Sequence, residues 1–173
     1  IRNSGNPLET AVRLAIAGNI IDLGVKSSIT DGDINETLQQ SLTEPFDPIM
    51  VEQLRNDVEK ASDILYLTDN AGEIVFDCLL IEELPTEKIT AAVKGYPVIN
   101  DATMSDAIQT GLTDIIKVID NGSDAPGTIL ETCSQDFVSR FQQTDLVIAK
   151  GQGNYETLSD SNKNIYFILK AKC

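Results

Sequence analysis

The sequence predicts an α/β fold: a Rossmann-like three-layer α/β/α domain with a mainly parallel sheet and helical N-terminal segments. Three observations carry this reading. From residue 62 onward, short apolar runs alternate with helical patterns, the signature of βαβ units. Before that point the chain reads as helix with only marginal strand character. And 42% of the 173 residues are hydrophobic, enough to build one domain with a substantial core. The chain is therefore read as a single domain, with a helical segment over 1–61 and a sheet core over 62–173.

The stretch "PLETAVRLAIAG" (7–18) predicts the first helix, with Pro in its first turn and Gly18 after its end. "TDGDINETLQQSL" reads as a polar loop leading into a second helical pattern. "DPIMVEQLRNDVEKA" is a third helix, with Asp47 as its N-cap. Five strands follow: "DILYLT" (63–68), "KITAAVK" (88–94), "DIIKVID" (114–120), "DLVIAK" (145–150) and "IYFILKA" (165–171). Helices are expected over 73–84, 104–110 and 127–143, with a short helical turn at 155–160. No window reaches the apolar length of a membrane-spanning helix, and no signal peptide is visible.

Composition narrows the function. Lys and Arg number 13 against 27 Asp and Glu, a formal net charge of -14. Nucleic-acid binding relies on phosphate neutralisation by basic side chains, so this balance argues against it, and equally against an anionic membrane surface. A phosphorylated small molecule is compatible with it if a bound cation offsets the repulsion. The absence of histidine removes Ser-His-Asp and Cys-His catalysis and imidazole metal sites. Any metal site must be built largely from oxygen, which favours Mg, Mn or Ca while admitting softer divalent ions. Cys78, Cys133 and Cys173 are far apart and form no CxxC pair. They read as reduced thiols of a cytoplasmic protein.

Open parallel sheets bind ligands beyond the carboxyl ends of their strands. The first strand delivers "TDNAGE" there, the second "NDATMSD" after a short excursion, the third "DNGSDAPGT" and the fourth "KGQGNYE". Each has a plainer reading. Asp69 and Asp101 can be helix N-caps, the third segment an ordinary turn, and Lys150 a surface lysine with a snorkelling stem. Their coincidence on one rim points instead to a site.

The segments "GNIID", "TDNAGEIVFD", "NDATMSDA", "PGT" and "KGQGNYETL" resemble, in order, the motifs of the metal-dependent damage-control phosphatases. The resemblance runs over essentially the whole chain. It is closest to the branch found in archaea and in the phosphatase domain of eukaryotic pantothenate kinase-like proteins. It implies that Asp69, Asn70 and Asp101 hold a divalent cation (Mn, Mg, Ni or Co), with Asp69, Asp101 and Lys150 as the catalytic set. It also implies that Lys150 meets substrate phosphate, with Gly151 and Asn154 of the same motif on the substrate side. Asn19 and Asp22 match a motif near the substrate. Glu73 lies inside the first motif, as a substrate-side residue or simply as an acidic residue of a first helical turn. Members of this branch carry a longer helical N-terminal region with a Cys-x-x-Cys element and continue beyond the final "KAKC". The natural protein is therefore expected to be longer at both ends.

The expected function is metal-dependent hydrolysis of phosphomonoesters of small metabolites, sugar phosphates or phosphopantetheine-type compounds. The partner expected is a phosphorylated small molecule, with neither nucleic acid nor membrane; oligomeric state stays open. A non-catalytic metal- or nucleotide-binding module on the same fold is the rival reading. A methyltransferase is disfavoured, because "DNAGE" has one glycine where a methyl-donor loop needs a GxGxG-like run.

Overall fold

The computed structural model describes Ile1, residues 4–20 and residues 31–170, apart from the side chains of Asp31, Asp33 and Ile34. Helix α1 spans Pro7–Ile20, α2 Asp31–Thr43 and α3 Pro48–Lys60. The Asp47 carboxylate accepts from the Ile49 amide at 2.9 Å, so α3 has the expected cap. Two expectations change in this segment. The polar stretch that reads as a loop is helical from Asp31. Helix α1 runs through Gly18 instead of stopping there. A Cβ at Gly18 would lie 2.9 Å from the Phe76 ring, so this glycine serves close helix packing and not chain termination.

The sheet contains β1 (Ile64–Leu67), β2 (Ile89–Val93), β3 (Lys117–Asp120), β4 (Leu146–Lys150) and β5 (Ile165–Ile168). Every pairing is parallel and the order is β3-β2-β1-β4-β5. Central β1 is buried on both faces, as a helix-covered parallel strand must be. Ile64 and Tyr66 face one layer with α1 and α3, joined by α4 (Ile74–Ile81), α5 (Met104–Gln109) and α6 (Leu112–Ile115). Leu65 and Leu67 face the other, against Phe137 and Phe141 of α7 (Gln135–Gln143) and Leu158 of α8 (Gly151–Leu158). The three-layer expectation is met, because strand side chains alternate between the faces.

Element edges moved where turn chemistry overrode apolar pattern. The third strand starts at Lys117, because Leu112–Ile115 closes a short helix after the left-handed Gly111. The helix expected over 127–143 begins at Gln135, with the Ser134 hydroxyl accepting from the Phe137 amide. Among the described residues, no helix is long and apolar enough to cross a membrane.

Candidate metal and phosphate site

Strands β2 and β3 lie on one side of β1, β4 and β5 on the other. The order therefore reverses between β1 and β4, the place where open α/β sheets hold their ligands. Leu67 pairs with Ala149 there, so the residues that follow them, up to Asp69 and Lys150, emerge side by side. Asp101 arrives from a third direction. After β2 the chain makes an excursion and returns as residues 100–102, laced to the segment that follows β1 through the Ala102 amide on Asp69 O (2.8 Å) and the Ala71 amide on Asn100 O (2.9 Å). Asn70 and Asp101 face one another as an isolated bridge. The cap of α5 is Thr103, in a capping box with Asp106, and not Asp101.

Side chains knit these ends together. Asn19, in the last turn of α1, donates through Nδ2 to Asp69 Oδ2 (3.1 Å) and Glu73 Oε1 (3.0 Å). The Asn70 Nδ2 donates to the same two oxygens, at 3.2 Å and 2.7 Å. Behind them lies a fully buried charge cluster. Lys150 Nζ donates to Glu73 Oε2 (2.9 Å) and Asp77 Oδ1 (2.7 Å), and the Tyr66 hydroxyl donates to Asp77 Oδ1 (2.8 Å). Asp77 Oδ2 is buried without a hydrogen-bond partner.

The electrostatics follow from burial and crowding. Burial, then repulsion from Glu73 and Asp101, pushes the Asp69 carboxyl up to about 7, with Lys150 opposing. Burial raises Asp77 despite its pairing with Lys150. For Lys150 burial works toward neutrality, but Asp77 and Glu73 outweigh it and hold the ammonium above its ordinary pKa.

The expected residues are thus brought together unevenly. Asn19, Asp69, Asn70, Glu73 and Gly151 converge, and Asp101 sits across from Asn70. Lys150 is 0% exposed, and its ammonium is engaged by the Glu73 and Asp77 carboxylates. Asn154 also points inward. Its Nδ2 donates to Thr68 O (3.1 Å) and Lys150 O (2.8 Å), and its Oδ1 accepts from Thr128 Oγ1 (2.7 Å), which clamps three strand-end segments together. Asp22 and Cys173 lie outside the described residues.

Asp77 and Tyr66 adjoin these groups, and Lys94 Nζ lies 3.4 Å from Asp101 Oδ2, yet none of the three was singled out in the sequence. Asp77 could have been found as the residue one helical turn beyond Glu73. Lys94-Gly95 repeats at the end of β2 the Lys150-Gly151 pair that ends β4.

The donors suit a hard or borderline divalent cation: two carboxylates and an amide oxygen, with no imidazole or thiolate. Gly151, at φ +79, leaves room for the Asp69 carboxylate that any side chain would take. Among the described residues no three Asp, Glu or Cys side chains are grouped so as to hold a metal ion by themselves, so a cation here would also need the Asn70 amide oxygen. An apolar groove of about 230 Å³ between α1, α3 and β5 lies elsewhere and carries none of these groups.

The sequence profile of the damage-control phosphatase ARMT1-like domain matches residues 1–173. A damage-control phosphatase of Pyrococcus horikoshii is 42% identical over 169 residues, covering 95% of this chain and 58% of that protein. One of Archaeoglobus fulgidus is 36% identical over 178 residues, covering 100% of this chain and 61% of that protein. The crystal structure of a DUF89 family protein from Pyrococcus horikoshii superposes with a TM-score of 0.87 at 41% identity, over 99% of this chain and 61% of that one. The chain thus spans about three fifths of the length of these relatives. With profile, relatives and fold in agreement, the chain belongs to the damage-control phosphatase ARMT1-like domain family.

Proposed function

We propose that this protein hydrolyses phosphomonoesters of small metabolites, of the sugar-phosphate or phosphopantetheine class, with a divalent cation (Mn, Mg, Ni or Co) held by Asp69, Asn70 and Asp101. The observation that carries the reading is the crowding of carboxylates around Asp69 at the sheet's reversal point, which leaves the site short of positive charge. When bound, the cation supplies Lewis-acid withdrawal of charge from the phosphoryl group.

The chain's own residues do the rest. Asn19 and Asn70 hold the Asp69 and Glu73 carboxylates in one orientation through four amide hydrogen bonds. Lys150 balances Glu73 and Asp77 from behind, and so lowers the repulsion an incoming phosphate meets. Helix α8 begins at Gly151, so the unpaired amides of its first turn face the rim and are available to a phosphate oxygen. Asn154 acts through the frame, fixing the ends of β1 and β4 against Thr128. The unpaired Cys78 and Cys133 support a cytoplasmic location.

The test is release of inorganic phosphate from a panel of phosphorylated metabolites, with each divalent ion and with chelator. Turnover should require the ion and fall at least about a hundredfold in Asp69→Asn. Cation binding with no turnover on any phosphomonoester overturns the reading in favour of a non-catalytic metal-binding module.

A further inference from the structure

Lysine followed by glycine closes β4 and comes directly after β2, and both lysines are buried, yet their surroundings differ in charge. Lys150 is matched by two carboxylates, Glu73 and Asp77, which are themselves buried. Lys94, one residue beyond β2, is 6% exposed. Its ammonium donates to the main-chain carbonyls of Ala125 (2.8 Å) and Gly127, both in the loop that follows β3. Its ion pair is with Asp101 Oδ2, at 3.4 Å.

Carbonyls orient an ammonium but do not neutralise it. Asp101 is the group proposed to bind the cation, and a carboxylate that gives its charge to a divalent ion balances a neighbouring lysine far less. Lys94 is then a buried positive charge whose remaining partners are neutral, and such a charge demands an anion. Lys150 is in no such position. The anion that comes beside Asp101 in the proposed reaction is the phosphoryl group.

We propose that Lys94 is the lysine that binds a substrate phosphate oxygen next to the cation, with the loop after β3 serving as its mount. This rests on the phosphatase reading and names the phosphate-binding cation within it. The mount is stiff. Gly127 has φ +68, and a Cβ there would lie 2.4 Å from Gly153 O, so the loop is packed directly on the first turn of α8. The Thr128 amide donates to Thr157 Oγ1 at 2.9 Å, fixing the loop to the same helix. The ammonium is thereby held by backbone that cannot easily retreat.

A lysine that only braces the loop is distinguished by Lys94→Gln, which keeps N–H donors for the carbonyls and removes the charge. Inorganic phosphate is titrated calorimetrically into the cation-loaded parent and variant, and cation affinity is measured separately. Phosphate affinity should fall about tenfold or more, and KM for phosphomonoesters should rise in step, while the cation binds at least as tightly as in the parent. Equal phosphate affinity in the two proteins overturns the proposal. If Lys94→Gln does not fold, the unmutated chain is used with labelled lysine: the Lys94 Nζ resonance must shift on adding phosphate to the cation-loaded protein, and an unmoved resonance overturns it. A parent that binds phosphate through Lys94 but hydrolyses nothing refutes the phosphatase reading alone. A cation-loaded parent that binds no phosphate refutes both.

Discussion

Gly151 and Asp69 stand so close that a Cβ on residue 151 would lie 1.9 Å from Asp69 Oδ2 and 2.2 Å from its Cγ. The glycine at the start of α8 is thus the wall of the carboxylate site that follows β1. Its φ of +79 adds a second reason for glycine, since a side chain there strains the backbone as well as striking Asp69.

Gly151→Ala should therefore damage the site more than the fold. The left-handed backbone alone costs about 1–2 kcal/mol, and Asp69 must turn away to make room. Denaturant melts should show a loss of at least that size, and calorimetry should show cation affinity reduced about tenfold or more. A variant that binds the cation like the parent would show that Asp69 is not a ligand.

Stability without cation should depend on pH through Asp69. Its carboxyl is raised from 3.8 to about 7 by burial first, then by Glu73 and Asp101. A proton is therefore bound more tightly in the folded state than in the unfolded chain. The stabilisation it gives is present in full below pH 3.8 and is lost as pH rises through about 7. Asp69→Asn cannot lose it. In chelator, the melting temperature of the variant relative to the parent should climb between pH 4 and pH 8, and a flat difference refutes the assignment. Added divalent cation should stabilise the parent and not the variant.

Lys150→Met should unfold easily. It strips the cation from two buried carboxylates, and breaking a buried pair by removing one partner costs about 3–5 kcal/mol. Adding Asp77→Asn to Lys150→Met should recover part of that loss, with a coupling of about 1–3 kcal/mol between the two positions. Chemical denaturation of the parent, both single variants and the double variant measures it. Additive losses would mean that Lys150 and Asp77 do not depend on one another.

Much of this protein is written locally. Apolar runs that alternate with amphipathic stretches announce a parallel sheet, because each strand must be covered on both faces. Asp69, Asn70 and Asp101 could be picked out as polar groups at strand ends, and Asp47 as a cap, because such positions are set by residues within a turn of one another. What the sequence left open depends on partners far away along the chain. The sequence offers Lys150 as a phosphate ligand but cannot name the groups packed against it. The fold brings Glu73 and Asp77, more than seventy positions earlier, onto its ammonium at 2.9 Å and 2.7 Å. Lys94 looked like the last residue of an apolar strand until the returning segment brought Asp101 beside it and the loop after β3 supplied two carbonyls. A charge takes its role from whatever else is buried with it, and the tertiary packing of segments distant in sequence decides which groups those are.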